Sequence, residues 1–172
     1  MKNGTILILN GVSSAGKTTL AHEIQAQMLQ PWYLMGNDLF FEMLPEKFCE
    51  NDWPEAECQA LEMLANTARL FSQTGRCVIL DTVYLSVMKR DCFAILNDSL
   101  KDCPRFLVHV VCPVEELERR ERERGDRNIG QAAWQLSRLI PEAGYDLTID
   151  TFKHTLKENA ETIIRAIENI EL

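Results

Sequence analysis

Residues 11–18, Gly11-Val12-Ser13-Ser14-Ala15-Gly16-Lys17-Thr18, follow directly on the apolar run Thr5-Ile6-Leu7-Ile8-Leu9 and constrain this chain more than any other stretch. They fit G-x-x-x-x-G-K-[ST], the phosphate-binding P-loop. Two glycines with small residues between them let successive backbone N–H groups curl around an anion, a nest that bulky side chains would obstruct. A β-branched run before the loop and helical spacing after it supply the strand, turn and helix that the motif requires. The helix directs free N–H groups and the positive end of its dipole at the same anion. Gly11, Ser13, Ser14, Ala15, Gly16, Lys17, Thr18 and Thr19 are therefore expected to hold phosphates. Lys17 is expected to reach the β- and γ-phosphates, and Thr18 to offer its hydroxyl to Mg2+.

At 172 residues the chain is expected to form a single domain, residues 1–172, with a proper core. No stretch reaches the roughly 20 apolar residues that cross a bilayer, and the N-terminal apolar run is too short for a signal peptide. A formal charge of −8 disfavours nucleic acid and acidic membrane surfaces, both of which require an extended basic field. Any bound anion must be held locally. The six cysteines, at positions 49, 58, 77, 92, 103 and 112, contain no C-x-x-C pair and read as reduced, mostly buried thiols of a cytoplasmic protein.

Further along, Leu20, Ala21, Ile24, Met28 and Leu29 recur at helical spacing before Pro31. Trp32–Met35 reads as a second strand, and Asp38–Pro45 as one or two helical turns. Asp52-Trp53-Pro54-Glu55 reads as a helix start with an acidic cap, and Gly75 as the end of that helix. Cys77–Asp81 and Phe106–Val111 have the continuous apolar character of strands covered on both faces. Ser86 is a candidate cap for the helix between them. Pro113–Arg124 and Gln131–Ile140 read as helices, Leu147–Asp150 as a short last strand, and Phe152 through Ile170 as the apolar stripe of a closing helix. Strands alternating with helices indicate an α/β fold with a parallel sheet between helical layers.

Three constellations carry candidate chemistry. Asp81 ends the strand expected beside the P-loop strand, where a carboxylate can serve the metal. Arg120, Arg124 and Arg127 share one helix face, and Gly125 interrupts that helix where two guanidinium groups can swing over a triphosphate. Arg119 and Arg122 read instead as ordinary surface ion pairs. Asp38, beyond the second strand and on the P-loop side of the sheet, either caps a helix or accepts a hydroxyl proton. His22, His109 and His154 read as structural, and the tryptophans and methionines as core.

Together these residues resemble a known family. LILNGVSSAGKT, Pro31-Trp32, Gly36-Asn37-Asp38, Ile79 through Leu85, Cys112, Glu118, Arg120-Glu121, Arg124-Gly125-Asp126-Arg127, Gly130, Gln135, Tyr145-Asp146 and Asp150-Thr151 look like chloramphenicol phosphotransferase, in the same order over nearly the whole chain. The resemblance implies a P-loop kinase fold: a five-stranded parallel sheet, helices on both faces and a small arginine-rich lid at about residues 120–140. It implies transfer of the γ-phosphoryl of ATP to a hydroxyl of a small molecule, with Mg2+. It makes Asp38 the base, assigns Gly16, Lys17 and Thr18 to phosphates and metal, and places Arg124 and Arg127 in the lid, with Arg120 on the nucleotide. The metal ligands are then Thr18 and Asp81, although the family carries two adjacent aspartates where this chain has Asp81-Thr82. Residues 46–57 have little in common with the family, and acceptor specificity is expected to be set there.

The partner is thus a small-molecule hydroxyl acceptor, and a homo-oligomer is compatible with the sequence. Alternatives are a kinase of another small alcohol, or a nucleotide-binding NTPase or switch without an acceptor. A nucleoside monophosphate kinase is disfavoured, because between Trp32 and Gly75 only Lys47 and Arg69 could hold an acceptor phosphate.

Overall fold

The computed structural model describes residues 2–125, 129–140 and 144–171. Five parallel strands, β1 (Ile6–Asn10), β2 (Trp32–Gly36), β3 (Cys77–Thr82), β4 (Arg105–Val111) and β5 (Leu147–Asp150), form one sheet in the order β2-β3-β1-β4-β5. Helices α1 (Lys17–Gln27), α2 (Asn37–Phe41), α3 (Glu46–Asn51), α4 (Trp53–Gln73), α5 (Cys92–Leu100), α6 (Val114–Arg124), α7 (Gln131–Leu136) and α8 (Leu156–Glu171) lie between and after them.

Alternation along β1 divides the core in two. Leu7 and Leu9 pack under Leu20, Ala21 and Ile24 of α1 and Ala160, Ile163 and Ile167 of α8. Ile6 and Ile8 face Leu61, Leu64, Ala65 and Ala68 of α4 and Leu96 and Leu100 of α5. Both faces of the central strand are buried, which explains its uninterrupted apolar run. Each fully buried Leu or Ile stabilises the fold by roughly 1.5–3 kcal/mol, so the sheet is a rigid base for the loops at its carboxyl ends.

Several local expectations are corrected by tertiary packing. Leu29 lies outside α1 and is fully exposed. Asp91, not Ser86, caps α5 by accepting from the N–H groups of Phe93 and Ala94 at 2.9 and 3.1 Å, while the Ser86 N–H donates to the Arg138 carbonyl. The helix expected to run to Ile140 stops at Leu136, because Leu139 pairs antiparallel with Leu85 and the Ile140 N–H donates to the Tyr84 carbonyl. Phe152 precedes α8 and is 59% exposed, since Asp150 turns the chain by accepting from the N–H groups of Phe152 and Lys153. Asp52 does cap α4, accepting from the Glu55 N–H at 3.4 Å. All six cysteines are free thiols, and all but Cys49 are buried.

Candidate active site

The P-loop leaves the carboxyl end of β1 and turns into α1. Gly11 is required by close approach, since a Cβ there would lie 2.3 Å from the Val110 carbonyl oxygen of β4. Gly16 caps α1 from a left-handed conformation, φ +90°. Ser14 also takes a left-handed conformation, φ 61°, which costs on the order of 1–3 kcal/mol and persists because the surroundings hold it. The Ser14 carbonyl accepts from Arg120 at 3.3 Å, and the neighbouring Ala15 carbonyl from the Thr151 hydroxyl at 2.8 Å. The Ser14 hydroxyl oxygen is buried without a partner among the described residues. An orphaned hydroxyl beside a helix N-terminus in a strained nest fits phosphate oxygens.

On one flank of the loop, the Thr18 hydroxyl donates to Asp81 Oδ2 at 2.5 Å, and Lys17 Nζ lies 3.5 Å from Asp81 Oδ1 while donating to the Val12 carbonyl at 3.0 Å. Register explains the meeting: Leu9 pairs with Asp81 in adjacent parallel strands, so the carboxylate emerges level with the start of the loop. Alternation sends Thr82 the other way. It is buried, and its hydroxyl donates to the Leu9 carbonyl at 3.3 Å. Of the two positions where the family has aspartates, the one kept as aspartate here faces Thr18. A hydroxyl and a carboxylate at 2.5 Å form an oxygen donor set that suits Mg2+.

Arg120 braces the loop from the opposite flank. Its guanidinium donates to the Ser14 carbonyl and to the Thr151 hydroxyl and carbonyl, and Glu116 accepts from its Nε at 2.8 Å. Hydrogen bonds from Arg119 and Arg120 hold the Glu116 carboxyl down at about 2. Arg124 is the last residue of α6 and lines the cleft, and Gly125 follows it in a left-handed conformation. Arg119 and Arg122 pair with glutamates on α6, as expected of surface residues. Arg127 lies outside the described residues.

Sequence reasoning assigned no role to the side chains that seat α7. Glu121 is fully buried and accepts from the N–H groups of Gly130 and Ala132, each at 2.7 Å, anchoring the start of that helix. Gln135 of α7 accepts from the Ser13 N–H at 2.6 Å, tying the lid region to the P-loop. Glu121 and Gln135 stand among the residues that carry the family resemblance, which was the available signal, but charge alone does not separate Glu121 from its solvated neighbours on the helix.

The far wall of the cleft comes from α2, the start of α4 and the segment after β3. Asp38 lies in the first turn of α2, whose N-cap is Gly36 and which has no side-chain cap. The capping alternative for Asp38 therefore falls away. Asn37 Nδ2 donates to Glu57 Oε2 at 2.5 Å. Burial, and then the charge of Asp38, push the Glu57 carboxyl up to about 7 from an ordinary 4.5. Trp53 lines the cleft and meets Trp134 of α7 edge to face at 6.1 Å, with Arg138 stacked over Trp134 at 4.5 Å. The core assignment of the tryptophans holds for Trp32 alone, which is 5% exposed. P-loop, Asp81, Asp38, Glu57 and Arg124 all border one cleft of about 1110 Å³.

His109 stacks on Tyr145 at 4.4 Å, and burial lowers its pKa, consistent with a structural role. Among the described residues no helix is long and apolar enough to cross a membrane.

The sequence profile of the family described as chloramphenicol phosphotransferase-like protein matches residues 4–168. The chain belongs to that family. A Mycobacterium tuberculosis protein named "Putative O-phosphotransferase" is 29% identical over 187 residues, covering 95% of this chain and 82% of the relative. The fold is shared with APS kinase of M. tuberculosis, solved with AMPPNP and APS, at TM-score 0.75, 18% identity and coverage of 98% and 99% of the two chains. It is also shared with shikimate kinase of Acinetobacter baumannii in complex with shikimate, at TM-score 0.70, 17% identity and coverage of 99% and 97%. Membership of the family and this fold make the chain a phosphotransferase built on a nucleotide-binding P-loop kinase fold.

A stability consequence follows from Glu57. Its folded value lies above the ordinary one, so stability is lost as pH rises from 4.5 toward 7, where the unfolded chain has already released the proton. Above that window the penalty is on the order of 3 kcal/mol. Glu57→Gln is expected to raise the melting temperature at pH 8, with the difference vanishing below pH about 4.5. Melting curves across that range check this, and an unchanged or lowered melting temperature at pH 8 contradicts the burial of a charge there.

Proposed function

We propose that this chain is an ATP-dependent O-phosphotransferase that moves the γ-phosphoryl group to a hydroxyl of a small-molecule acceptor in the cytoplasm. The observation that carries the reading is that one cleft joins the P-loop, with Lys17, Thr18 and Asp81, to a facing wall that bears Asp38.

The backbone N–H groups of Ser14 and of residues 16–19 at the N-terminus of α1 receive the phosphates, while the Ser13 N–H is held by Gln135 and the Ala15 N–H by the Val12 carbonyl, and Lys17 supplies the point charge between the β- and γ-phosphates. Arg120 keeps the loop in its strained shape through the Ser14 carbonyl and can add charge to the nucleotide side. Thr18 and Asp81 would hold Mg2+, directly or through water. When bound, that ion neutralises charge on the β- and γ-oxygens.

Asp38 accepts or orients the acceptor hydroxyl proton, so that the alcohol oxygen points at the γ-phosphorus as the bond to the leaving oxygen breaks. Arg124, at the end of α6, stabilises charge spread over the transferring group and helps exclude water. An apolar wall with Trp53, Phe41, Leu85 and Met88 provides the acceptor's contact surface. Trp32 belongs to the core and Phe40 packs against it, so neither contributes to this wall. Trp53, from the segment that departs from the family, takes that place.

A test is ATP consumption over a panel of hydroxylated antibiotics, chloramphenicol first, and hydroxylated metabolites, with product mass as readout. Arg124→Ala is expected to lower kcat roughly ten- to a hundred-fold with little change in nucleotide affinity. Stability should move by about 0–1 kcal/mol, as befits an exposed residue. Parallel losses of melting temperature and activity would instead make Arg124 a structural ion-pair residue.

A further inference from the structure

The peptide unit between Val12 and Ser13 is held at both ends. Its carbonyl accepts from Lys17 Nζ at 3.0 Å and from the Ala15 N–H at 3.3 Å, and its N–H donates to Gln135 Oε1 at 2.6 Å. In a planar trans peptide the N–H and C=O point in opposite directions, so Gln135 and Lys17 grip one rigid unit from opposite sides. A backbone N–H can donate only to the amide oxygen, which fixes the orientation of the Gln135 amide. Lys17 has a second claimant, since Asp81 Oδ1 lies 3.5 Å from its Nζ. Which anchor holds the ammonium group depends on where the Val12 carbonyl points. That direction is set by the N–H at the other end of the same unit.

Gln135 is itself placed by buried contacts. Ala132, three residues before it on α7, belongs to the same core cluster as Val12 and Ala15. Glu121, fully buried, accepts from the Gly130 and Ala132 N–H groups and so sets where α7 starts. Its neighbour Arg120 donates to the Ser14 carbonyl at 3.3 Å. Consecutive residues of α6 thus brace consecutive residues of the loop, Arg120 taking Ser14 directly and Glu121 reaching Ser13 through α7. Gln135 is buried, and a hydrogen bond shielded from water is stronger than one exposed to it. Resting on the reading of Lys17 as the charge between the β- and γ-phosphates, we propose that Gln135 is a positioning residue for Lys17. By holding the Ser13 N–H it fixes the Val12 carbonyl that carries the ammonium group, and this hold persists when nucleotide is bound. The contributions of Gln135 and Lys17 to phosphate binding are therefore coupled, not independent.

The experiment is a double-mutant cycle on affinity for AMPPNP with Mg2+, measured by calorimetry in the parent, Gln135→Met, Lys17→Ala and the double variant, and it needs no acceptor. Methionine keeps the unbranched shape of glutamine and removes its strong acceptor. Gln135→Met is expected to weaken AMPPNP binding about ten-fold when Lys17 is present and less than about two-fold when Lys17 is already alanine. Melting curves verify that each variant folds. A loop merely loosened by the loss of a hydrogen bond would lose the same factor in both backgrounds, and equal factors overturn the proposal. Parent-like AMPPNP affinity in Gln135→Met overturns it too. Should that variant fail to fold, NMR of the parent decides: the nuclear Overhauser contact between the Ser13 amide proton and the Gln135 side chain is expected with and without AMPPNP, and its loss on binding overturns the proposal. A parent that does not bind AMPPNP, or a Lys17→Ala protein that binds it as tightly as the parent, overturns the phosphate-binding reading of the loop itself and this proposal with it.

Discussion

Lys17→Ala abolishes most phosphoryl transfer while leaving the protein folded: the expected loss is about 3 kcal/mol or more of transition-state stabilisation, roughly a hundred- to a thousand-fold in rate. The effect is large because Lys17 is the charged donor at the mouth of the nest, where Coulombic interactions act in a partly dry site. The structural cost is small. Lys17 donates to the Val12 carbonyl and lies 3.5 Å from Asp81, but Asp81 keeps the Thr18 hydroxyl as a donor at 2.5 Å when the lysine is gone. Steady-state rates and thermal melting on the same sample separate the two effects. Full activity in Lys17→Ala would remove the P-loop from the mechanism.

Asp38→Asn is expected to lower acceptor-dependent turnover by roughly 10²–10⁴-fold, nearer the lower end if the carboxylate chiefly orients the hydroxyl in a loose transition state. Asparagine keeps the shape and removes the proton acceptor. Because the N-cap of α2 is Gly36, the substitution takes no N-cap residue from that helix. The helix loses a favourable first-turn charge worth about 0.3–1 kcal/mol. In exchange, Glu57 is relieved of the Asp38 charge that raises its pKa. Melting temperature therefore stays near the parent value while activity collapses. A parent rate in Asp38→Asn with a confirmed acceptor would exclude Asp38 as the base.

What was legible in the sequence is what short-range chemistry dictates. The P-loop can be read because a phosphate nest needs glycine and small residues at fixed spacing, and β1, β3 and β4 because strands covered on both faces read as near-continuous apolar runs, broken in β4 only by His109. Asp81 could be placed for the same reason, at the end of an apolar run adjoining the P-loop strand. The remainder depends on partners far away in the chain. Gln135 reaches the Ser13 N–H, Arg120 clasps the Ser14 carbonyl, and Glu121 seats α7, each through hydrogen bonds that no local periodicity encodes. That Trp32 is core while Trp53 lines the cleft has a similar origin. Both tryptophans follow or precede a proline near a strand or helix start, but only the three-dimensional position of the α4 N-terminus turns Trp53 toward the cleft. Asp91 outcompeted Ser86 as a cap because Ser86 is drawn into backbone pairing with the lid region at Arg138.

The most direct test of the account is the fate of the γ-phosphoryl group. With γ-labelled ATP, Mg2+ and the hydroxylated panel, the account predicts that label appears in a phosphate monoester of an acceptor, one for each ADP formed, and that this transfer is lost in Asp38→Asn. Label released only as inorganic phosphate, at a rate indifferent to every acceptor and unchanged in Asp38→Asn, would contradict it and make the chain an NTPase without an acceptor.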